Sequence, residues 1–533
     1  MKQVQDPIYG YIDIESEYVP LIDSAEFQRL RNIRQTGYES LYPSALHNRF
    51  VHSLGVFYLG KKAFNNFKKN VEGKYQIDNW EEIEKTFALA CLLHDVGHSP
   101  FSHTGEKFYE RSTDFIGQIS SLVDSKELVH DMADQGWGKA HEAMSVIVGL
   151  QLLNNVGLPF EIDKELFARS IMGVLYKETH KNSVLFNAII GMLNGNIIDV
   201  DKIDYLRRDA YVTGYSSMAI DYDRILSGYT VSIYNNQGKK QEVAAFKKKS
   251  LSVIENIAQA NDLERRWVQS NPVILYDCRL VEMAIIKFNG YMMRNRKLVK
   301  KYKNIFNLTA LSKEGFPPKE KISLRLLSDD DIICYLKNTD DPDLEVIRRQ
   351  YFTRTQRYKP LWKNEAEFSE LVAKQISKSK LSDFFENIRD AVSFPENIFF
   401  LNQEEFDIRI NRLKEKSADE SDSALQKAYN ILALFHRFSE EKGLDFQFAI
   451  IKGTAFESNY QKFEGNGAYV ELDDGKAIRL KDTLAVRASS TSEERELLFH
   501  VYTTVDNINK VSDRQQLRSL LTDYINQNWT ISR

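Results

Sequence analysis

The sequence predicts a mainly α-helical protein with a smaller mixed α/β extension toward its C-terminal end. Three observations carry that prediction. From Ser24 to about residue 305, apolar side chains recur at three- and four-residue spacing, the period of a helix face. Turn formers are scarce, 25 Gly and 11 Pro in 533 residues, against a usual ~12% combined, which argues against a β-sandwich. Strand-like alternation gathers at the N-terminal end, in one internal hairpin, and beyond residue 446. A chain of 533 residues also exceeds what one hydrophobic core usually serves, so two or three structural units are expected.

The elements follow in order. Residues 1–20 read as extended, with a turn at Asp6-Pro7-Ile8-Tyr9-Gly10 and alternation in YIDIESEYV. Segment 24–36 opens on a Ser cap and places Phe27, Leu30 and Ile33 at three-residue spacing. Helical patterns recur near 48–69, 80–96, 139–156, 164–177, 183–193, 199–212, 221–228, 249–271 and 273–305. Residues 231–247 carry Asn235-Asn236-Gln237-Gly238 and predict a hairpin between helices. Gly315-Phe316-Pro317-Pro318 is the clearest boundary signal. It predicts a core over 1–315, a helical extension over 316–445 and a mixed α/β region over 446–533. Helices are expected near 327–338, 343–350, 364–377 and 403–441. In the tail, 446–453 and 469–480 read as strands, the second folding at Asp474-Gly475, and 509–527 as a last helix.

Composition narrows the function classes. Apolar residues make up 43% and charged residues 27%, a globular mix rather than a disordered one. The net charge of -4 gives no global basic field toward nucleic acid or anionic membrane. Cys91, Cys278 and Cys334 are too few and too scattered for a disulfide framework or a Cys-based zinc site, which suits a reducing cytoplasm. The N-terminal MKQVQDPIYGYIDIE has no apolar signal core, and no long apolar run predicts a membrane span.

The chemistry gathers in the histidines. Of 10 in the chain, seven fall between His47 and His141. Four positions stand out: His52 in NRFVHSLG, the pair His94-Asp95 in ALACLLHDVGHSP, and Asp201 in NGNIIDVDKIDYLRRD. Imidazoles and carboxylates together suit a divalent cation such as Mn, Fe, Zn or Ni. The apolar run Phe87–Leu93 delivers His94 and Asp95 to a buried helix end. Burial unpaired would cost several kcal/mol, and a cation would offset it. Each residue alone reads equally as a helix cap or a hydrogen-bonded core group; their combination does not.

In that order, His, then His-Asp, then a late Asp, the sequence resembles the HD superfamily of metal-dependent phosphohydrolases. The motifs RLRNIRQTG (29–37), HNRFVHSLG (47–55), HDVGHSPFSH (94–103) and IDVDKIDYLRRD (198–209) look like those of the deoxynucleoside triphosphate triphosphohydrolases within it. The likeness is dense over 1–215, thinner to about 360, and slight beyond. It implies an HD-superfamily helical core and hydrolysis of dNTP to deoxynucleoside and triphosphate, lowering dNTP pools in housekeeping or antiviral defence. It places a transition metal on His52, His94, Asp95 and Asp201, with Mg accompanying the triphosphate.

The same resemblance implies roles for the remaining residues. His103 matches an acid histidine, Glu106 the carboxylate that orients it, His141 the end of the relay, and His98 a phosphate or leaving-group contact. Arg49 and Lys202 match triphosphate cations, which suits bidentate and point-charge contact respectively. Tyr205 would pack on the sugar, Asp209 accept from its 3′-hydroxyl, and Gln35 line the sugar edge. Tyr276, in Tyr276-Asp277-Cys278-Arg279, is the best match to a pocket-lining Tyr-x-His-Lys stretch, although Cys278 stands where the family has His. Arg265 and Arg266 are the candidates for the Arg upstream of it.

For regulation, Lys2, Asp23, Gln28, Arg31 and Arg224 match the family positions that read an activating nucleotide (GTP, dGTP or another dNTP) in a homo-oligomer, a tetramer or hexamer. A carboxylate and a guanidinium suit the two edges of guanine. Asp23 reads equally as a helix cap with Arg31 its exposed partner. RNRKLVKKYK (294–303) and Lys247–Lys249 read as solvated faces, or as an allosteric phosphate site with at most weak nucleic-acid binding. Two other functions fit less of the pattern: an HD phosphodiesterase or nuclease, and a nucleotide sensor with a vestigial pocket.

Overall fold

The computed structural model describes residues 1–109, 113–195, 198–215, 219–293, 303–313, 315–319, 322–354, 357–371, 373–391, 407–408, 410–411, 414–415, 423–441, 448–452, 468–482, 499–503 and 511–529. The basic run at 294–302 and most of the expected helix before Ser423 lie outside them. The fold is mainly α, with small sheets. Two compact units are present, and both are discontinuous in sequence: Met1–Glu264 with Ile285–Tyr335 and Glu457–Ser489, and Arg265–Ala284 with Leu336–Phe456 and Ser490–Arg533.

In the first unit, the hairpin Lys2–Asp6/Gly10–Ile14 turns where Asp6 Oδ1 accepts from the Ile8 and Tyr9 N–H groups at 2.8 and 3.1 Å. Gly10 completes the turn at φ +76°. Segment 24–36 is shorter in helix than its period suggested. An α-turn, Ala25–Gln28, is capped by Ser24 and runs into a 3₁₀ turn, Arg29–Asn32. The backbone then bridges from Arg34 to Asn48.

The helix Arg49–Val71 opens on an Asn48 cap, whose Oδ1 accepts from Val51 N–H at 3.2 Å. Trp80–Leu93 is apolar around its whole circumference near its end, and Phe87 through Leu93 are all buried. Each large apolar side chain buried there contributes about 1.5–3 kcal/mol. Around these two helices stand Ala140–Val156, Lys164–Met172, Ser183–Leu193 and Val200–Thr213. Gly173 and Gly214, with φ +71° and +69°, end two of them.

Helices Phe115–Val123 and Lys126–Gln135 are present but were not expected from the sequence. They are short, yet their caps were legible: Asp114 accepts from Gly117 N–H and Ser125 from Leu128 N–H.

The predicted hairpin is Tyr229–Asn236/Lys239–Lys247, turning at Gln237-Gly238 with both φ positive. Strands Tyr469–Glu471 and Lys476–Arg479 pair parallel to it on both edges and close a four-stranded barrel. This corrects the expected division: part of the 446–533 tail belongs to the first unit. The expected boundary at Gly315–Pro318 also falls inside that unit, where Phe316–Lys319 pairs with Ile322–Leu324. Leu326 and Leu327 N–H groups bond back to the Ser312 and Ala310 carbonyls at 3.2 and 3.0 Å. Pro317 and Pro318 therefore lie in a short strand that Gly315 enters at φ +82°, not in a linker.

In the second unit, a three-stranded antiparallel sheet of Lys359–Pro360, Phe499–Thr503 and Phe448–Lys452 accompanies helices Glu365–Leu371, Lys378–Ala391, Ser423–Glu441 and Val511–Asn528. Lys378–Ala391 was not expected. Among the described residues, no helix is long and apolar enough to cross a membrane.

Candidate metal centre and histidine cluster

His52 sits on the first full turn of Arg49–Val71, and His94-Asp95 lie where Trp80–Leu93 ends. Asp201 lies in the first turn of Val200–Thr213, a helix capped by Asp199. Three helices thus deliver four side chains to one point. His52 Nε2 lies 2.9 Å from Asp201 Oδ1, 3.3 Å from His94 Nε2 and 3.6 Å from Asp95 Oδ2. His94 Nε2 lies 3.5 Å from Asp95 Oδ1 and 3.8 Å from Asp201 Oδ1.

The outward ring nitrogens are engaged elsewhere. His52 Nδ1 meets Asp204 Oδ2 at 2.7 Å, and His94 Nδ1 meets the Cys91 carbonyl at 3.0 Å. Both bonds favour a proton on Nδ1 and leave Nε2 as the inward donor, as ligated histidines require. Burial alone would push His52 down; Asp201 and Asp204 outweigh it and raise His52 to about 9. Burial would raise Asp95, but Arg49, His94 and His52 hold it well below the carboxylate range. Two imidazole Nε2 atoms facing one another between carboxylates fit a divalent cation that takes electron pairs from all of them.

Asp204 was missed in the sequence, although its spacing was a signal. It is fully buried, and Arg208 four residues on grips it with Nε and Nη2, both at 2.9 Å. Arg208 Nη1 then reaches Asp6 Oδ2 at 2.9 Å. Gly55 is explained here, because a Cβ at that position would land on the Asp204 carboxylate.

Beside this centre stand His98, His103 and His141 with Glu106. His103 and His141 both meet Glu106 through Nδ1, each at 2.8 Å, on separate carboxylate oxygens. Their bonds outweigh burial and hold Glu106 well below the carboxylate range. The His98 ring stacks on His141 at 4.2 Å between centroids, and its Nε2 is 3.8 Å from Asp95 Oδ1. Among the described residues, neither buried His98 ring nitrogen has a hydrogen-bond partner, and burial pushes its pKa down. His103 is half-exposed.

The other expected residues fall in three groups. Arg49 is in the centre, donating to Asp95 Oδ2 at 2.7 Å and to Ser102 Oγ at 3.0 Å. Gln35 is buried, and its Oε1 has no partner among the described residues. Asp209 Oδ1 lies 2.7 Å from His47 Nε2, and burial lifts its carboxyl to about 7. Tyr205 accepts from Asn261 at 3.0 Å. Lys202 turns back onto its own helix start, to Asp199 and the Gly195 carbonyl. Tyr276 belongs to the second unit and is buried there, donating to Gln350 Oε1 at 2.6 Å.

Of the regulatory residues, Lys2 pairs with Asp23 at 2.7 Å, and Arg31 Nε donates to Gln28 Oε1 at 2.7 Å while lying over the Phe50 ring. Ser24, not Asp23, caps the following helix. Arg224 donates to the Lys249 carbonyl.

The family model for the HD domain matches residues 49–166, which carry His52, His94, Asp95, His98, His103, Glu106 and His141. Over residues 49–166 the chain is thus similar to the HD domain family. The chain is 33% identical over 257 residues to the uncharacterized protein MG461 of Mycoplasma genitalium, covering 47% of the chain and 52% of that relative. It is 29% identical over 368 residues to human deoxynucleoside triphosphate triphosphohydrolase SAMHD1, covering 65% and 51%. It thus spans about half the length of the curated relatives it matches. A hypothetical protein from Aquifex aeolicus shares the fold, with a TM-score of 0.55 at 19% identity over 98% and 99% of the two chains.

Proposed function

We propose that this protein is a metal-dependent HD-domain dNTP triphosphohydrolase that converts dNTP and water into deoxynucleoside and triphosphate. One observation carries the reading: a centre that fits a divalent cation adjoins a histidine relay, through His98 Nε2 lying 3.8 Å from Asp95 Oδ1. A divalent cation held by His52, His94, Asp95 and Asp201, when bound, supplies Lewis-acid polarisation and a water of lowered pKa.

The chain's own residues supply the rest. Water adds at the α-phosphorus, the bond to the 5′-oxygen breaks, and that oxygen must take a proton. His103 is placed to give it. Its Nδ1 is held by Glu106, which leaves Nε2 toward the substrate side, and its exposure lets solvent restore the proton. His141 shares the same carboxylate and fixes its orientation.

Arg49 lies beside Asp95 as a cation for the phosphates, and Lys202 becomes a second one if substrate draws it from Asp199. Gln35, Tyr205 and Asp209 form the sugar end. The relative named as a dNTP triphosphohydrolase supports the substrate class. The proposal extends to an activating nucleotide at Lys2, Asp23, Gln28 and Arg31 in a homo-oligomer.

Purified protein is incubated with each dNTP, alone and in mixtures, with Mn or Mg, and the products are separated by chromatography. Equal amounts of deoxynucleoside and tripolyphosphate are expected. Monophosphate with pyrophosphate, or cleavage of a phosphodiester instead, would replace this reading with a phosphodiesterase or nuclease.

A further inference from the structure

The residues just before His103 are strained. Phe101 and Ser102 hold φ of +55° and +53°, a region that residues with a Cβ seldom occupy. Such conformations persist only where their surroundings over-determine them. Here the surroundings are specific. Ser102 Oγ accepts from Arg49 and donates to the Arg34 carbonyl, and Ser99 Oγ donates to the Ser102 carbonyl.

The Phe101 N–H leaves the loop altogether and donates to Asp329 Oδ1 at 2.6 Å, across 228 residues of sequence. The other oxygen, Oδ2, accepts from the Arg34 N–H at 3.0 Å. Asp329 is 3% exposed and begins the helix Asp329–Asn338. Buried Arg29 ties the preceding segment down, donating to the Leu327 carbonyl at 2.7 Å and to the His98 carbonyl at 2.7 Å. One carboxylate therefore joins the segment that carries Gln35 to the loop that leads into His103.

We propose that Asp329 is the positioning residue of the proton donor: it holds Phe101-Ser102 in the strained form that aims His103 at the leaving oxygen. This rests on the reading of His103 given above. The two ends of the clamp differ in their other supports. Around Arg34, the Gln35 N–H donates to the His47 carbonyl at 3.1 Å and the Arg49 N–H to the Ile33 carbonyl at 2.9 Å. The Phe101 and Arg34 N–H groups both end on Asp329, but Phe101 and Ser102 hold positive φ and Arg34 does not, so only the Phe101 side has a strained backbone to release. Loss of the carboxylate therefore loosens the His103 loop more than the sugar edge, and turnover suffers before binding does.

The test uses Asp329→Ala and Asp329→Asn in the full chain. Hydrogen exchange of residues 99–105, read by mass spectrometry, needs no activity. It is expected to quicken by roughly tenfold or more in Asp329→Ala, with the Trp80–Leu93 helix unchanged. Asp329→Asn keeps one acceptor oxygen and falls between. In turnover, kcat is expected to drop by about 10–100-fold, the scale of a displaced catalytic group, with metal content kept and KM within about threefold. Unchanged exchange at 99–105, or quickening spread evenly over the unit, overturns the proposal, as does a KM rise at constant kcat. If Asp329→Ala does not fold, wild-type exchange and kcat in Asp329→Asn overturn it equally. A wild type that hydrolyses no dNTP refutes the triphosphohydrolase reading, while the exchange result still judges the clamp.

Discussion

Replacing Asp204 by Asn separates metal affinity from the first ring of ligands. Its carboxylate accepts from His52 Nδ1 at 2.7 Å and from Arg208 at 2.9 Å on both oxygens, with no exposure to solvent. Burial would raise its pKa; Arg208 and His52 outweigh that and hold it at about 2. An amide has one acceptor oxygen: at the Oδ1 position it forfeits the His52 anchor and the Arg208 Nε bond together, and at Oδ2 it sets an NH₂ against Arg208 Nη2. A hydrogen bond to a charged group contributes about 1.5–3 kcal/mol. Partners behind a metal ligand typically matter by 10–100-fold in affinity, or about 1.4–2.7 kcal/mol at ~1.36 per tenfold. The two scales agree. Apo protein prepared with a chelator is titrated with Mn or Zn against a fluorescent competitor, and a melting curve is recorded alongside. The expected result is a metal Kd weakened by about 10–100-fold. A Kd within about twofold of wild type would refute the tautomer argument, and a lowered Tm with unchanged affinity would assign Asp204 to the fold alone.

Other outcomes follow from the same geometry. His94→Ala with Asp95→Ala is expected to abolish bound metal and hydrolysis while circular dichroism keeps the helical signal; full activity without metal would exclude the HD centre. His103→Ala should keep the metal, measured by mass spectrometry of the ion, and lose about 10²–10⁴-fold in rate at saturating substrate. Gly55→Ala drives a Cβ onto the Asp204 carboxylate and to 2.6 Å from Arg208 Nη2. It should destabilise by about 1–3 kcal/mol and lower metal content together, read from melting and metal analysis. Asp23→Ala and Arg31→Ala should weaken stimulation of one dNTP's hydrolysis by a second nucleotide, with light scattering reporting oligomer mass. Equal wild-type rates on single and mixed nucleotides, at constant mass, would make these residues structural.

The sequence by itself determined the helical class, most helix positions, the internal hairpin and the four side chains that meet in the candidate metal site. These are local or strongly typed signals: three- and four-residue spacing, capping residues at helix starts, and rare His and Asp residues in tight motifs. Tertiary structure decided which partners stand behind them. Asp204 and Arg208 were within sight of Asp201 in the chain, but only packing against the Arg49–Val71 helix makes them the support of His52. The unit boundaries were not legible, because Tyr469–Glu471 and Lys476–Arg479 pair with strands more than two hundred residues earlier, and such pairing leaves no periodic trace. Asp329 is the same case. One acidic residue among three at a helix start looks like a cap, and only the folded chain carries its carboxylate to the Phe101 N–H. Periodicity reports which face of an element is buried, and it is silent about what that face meets.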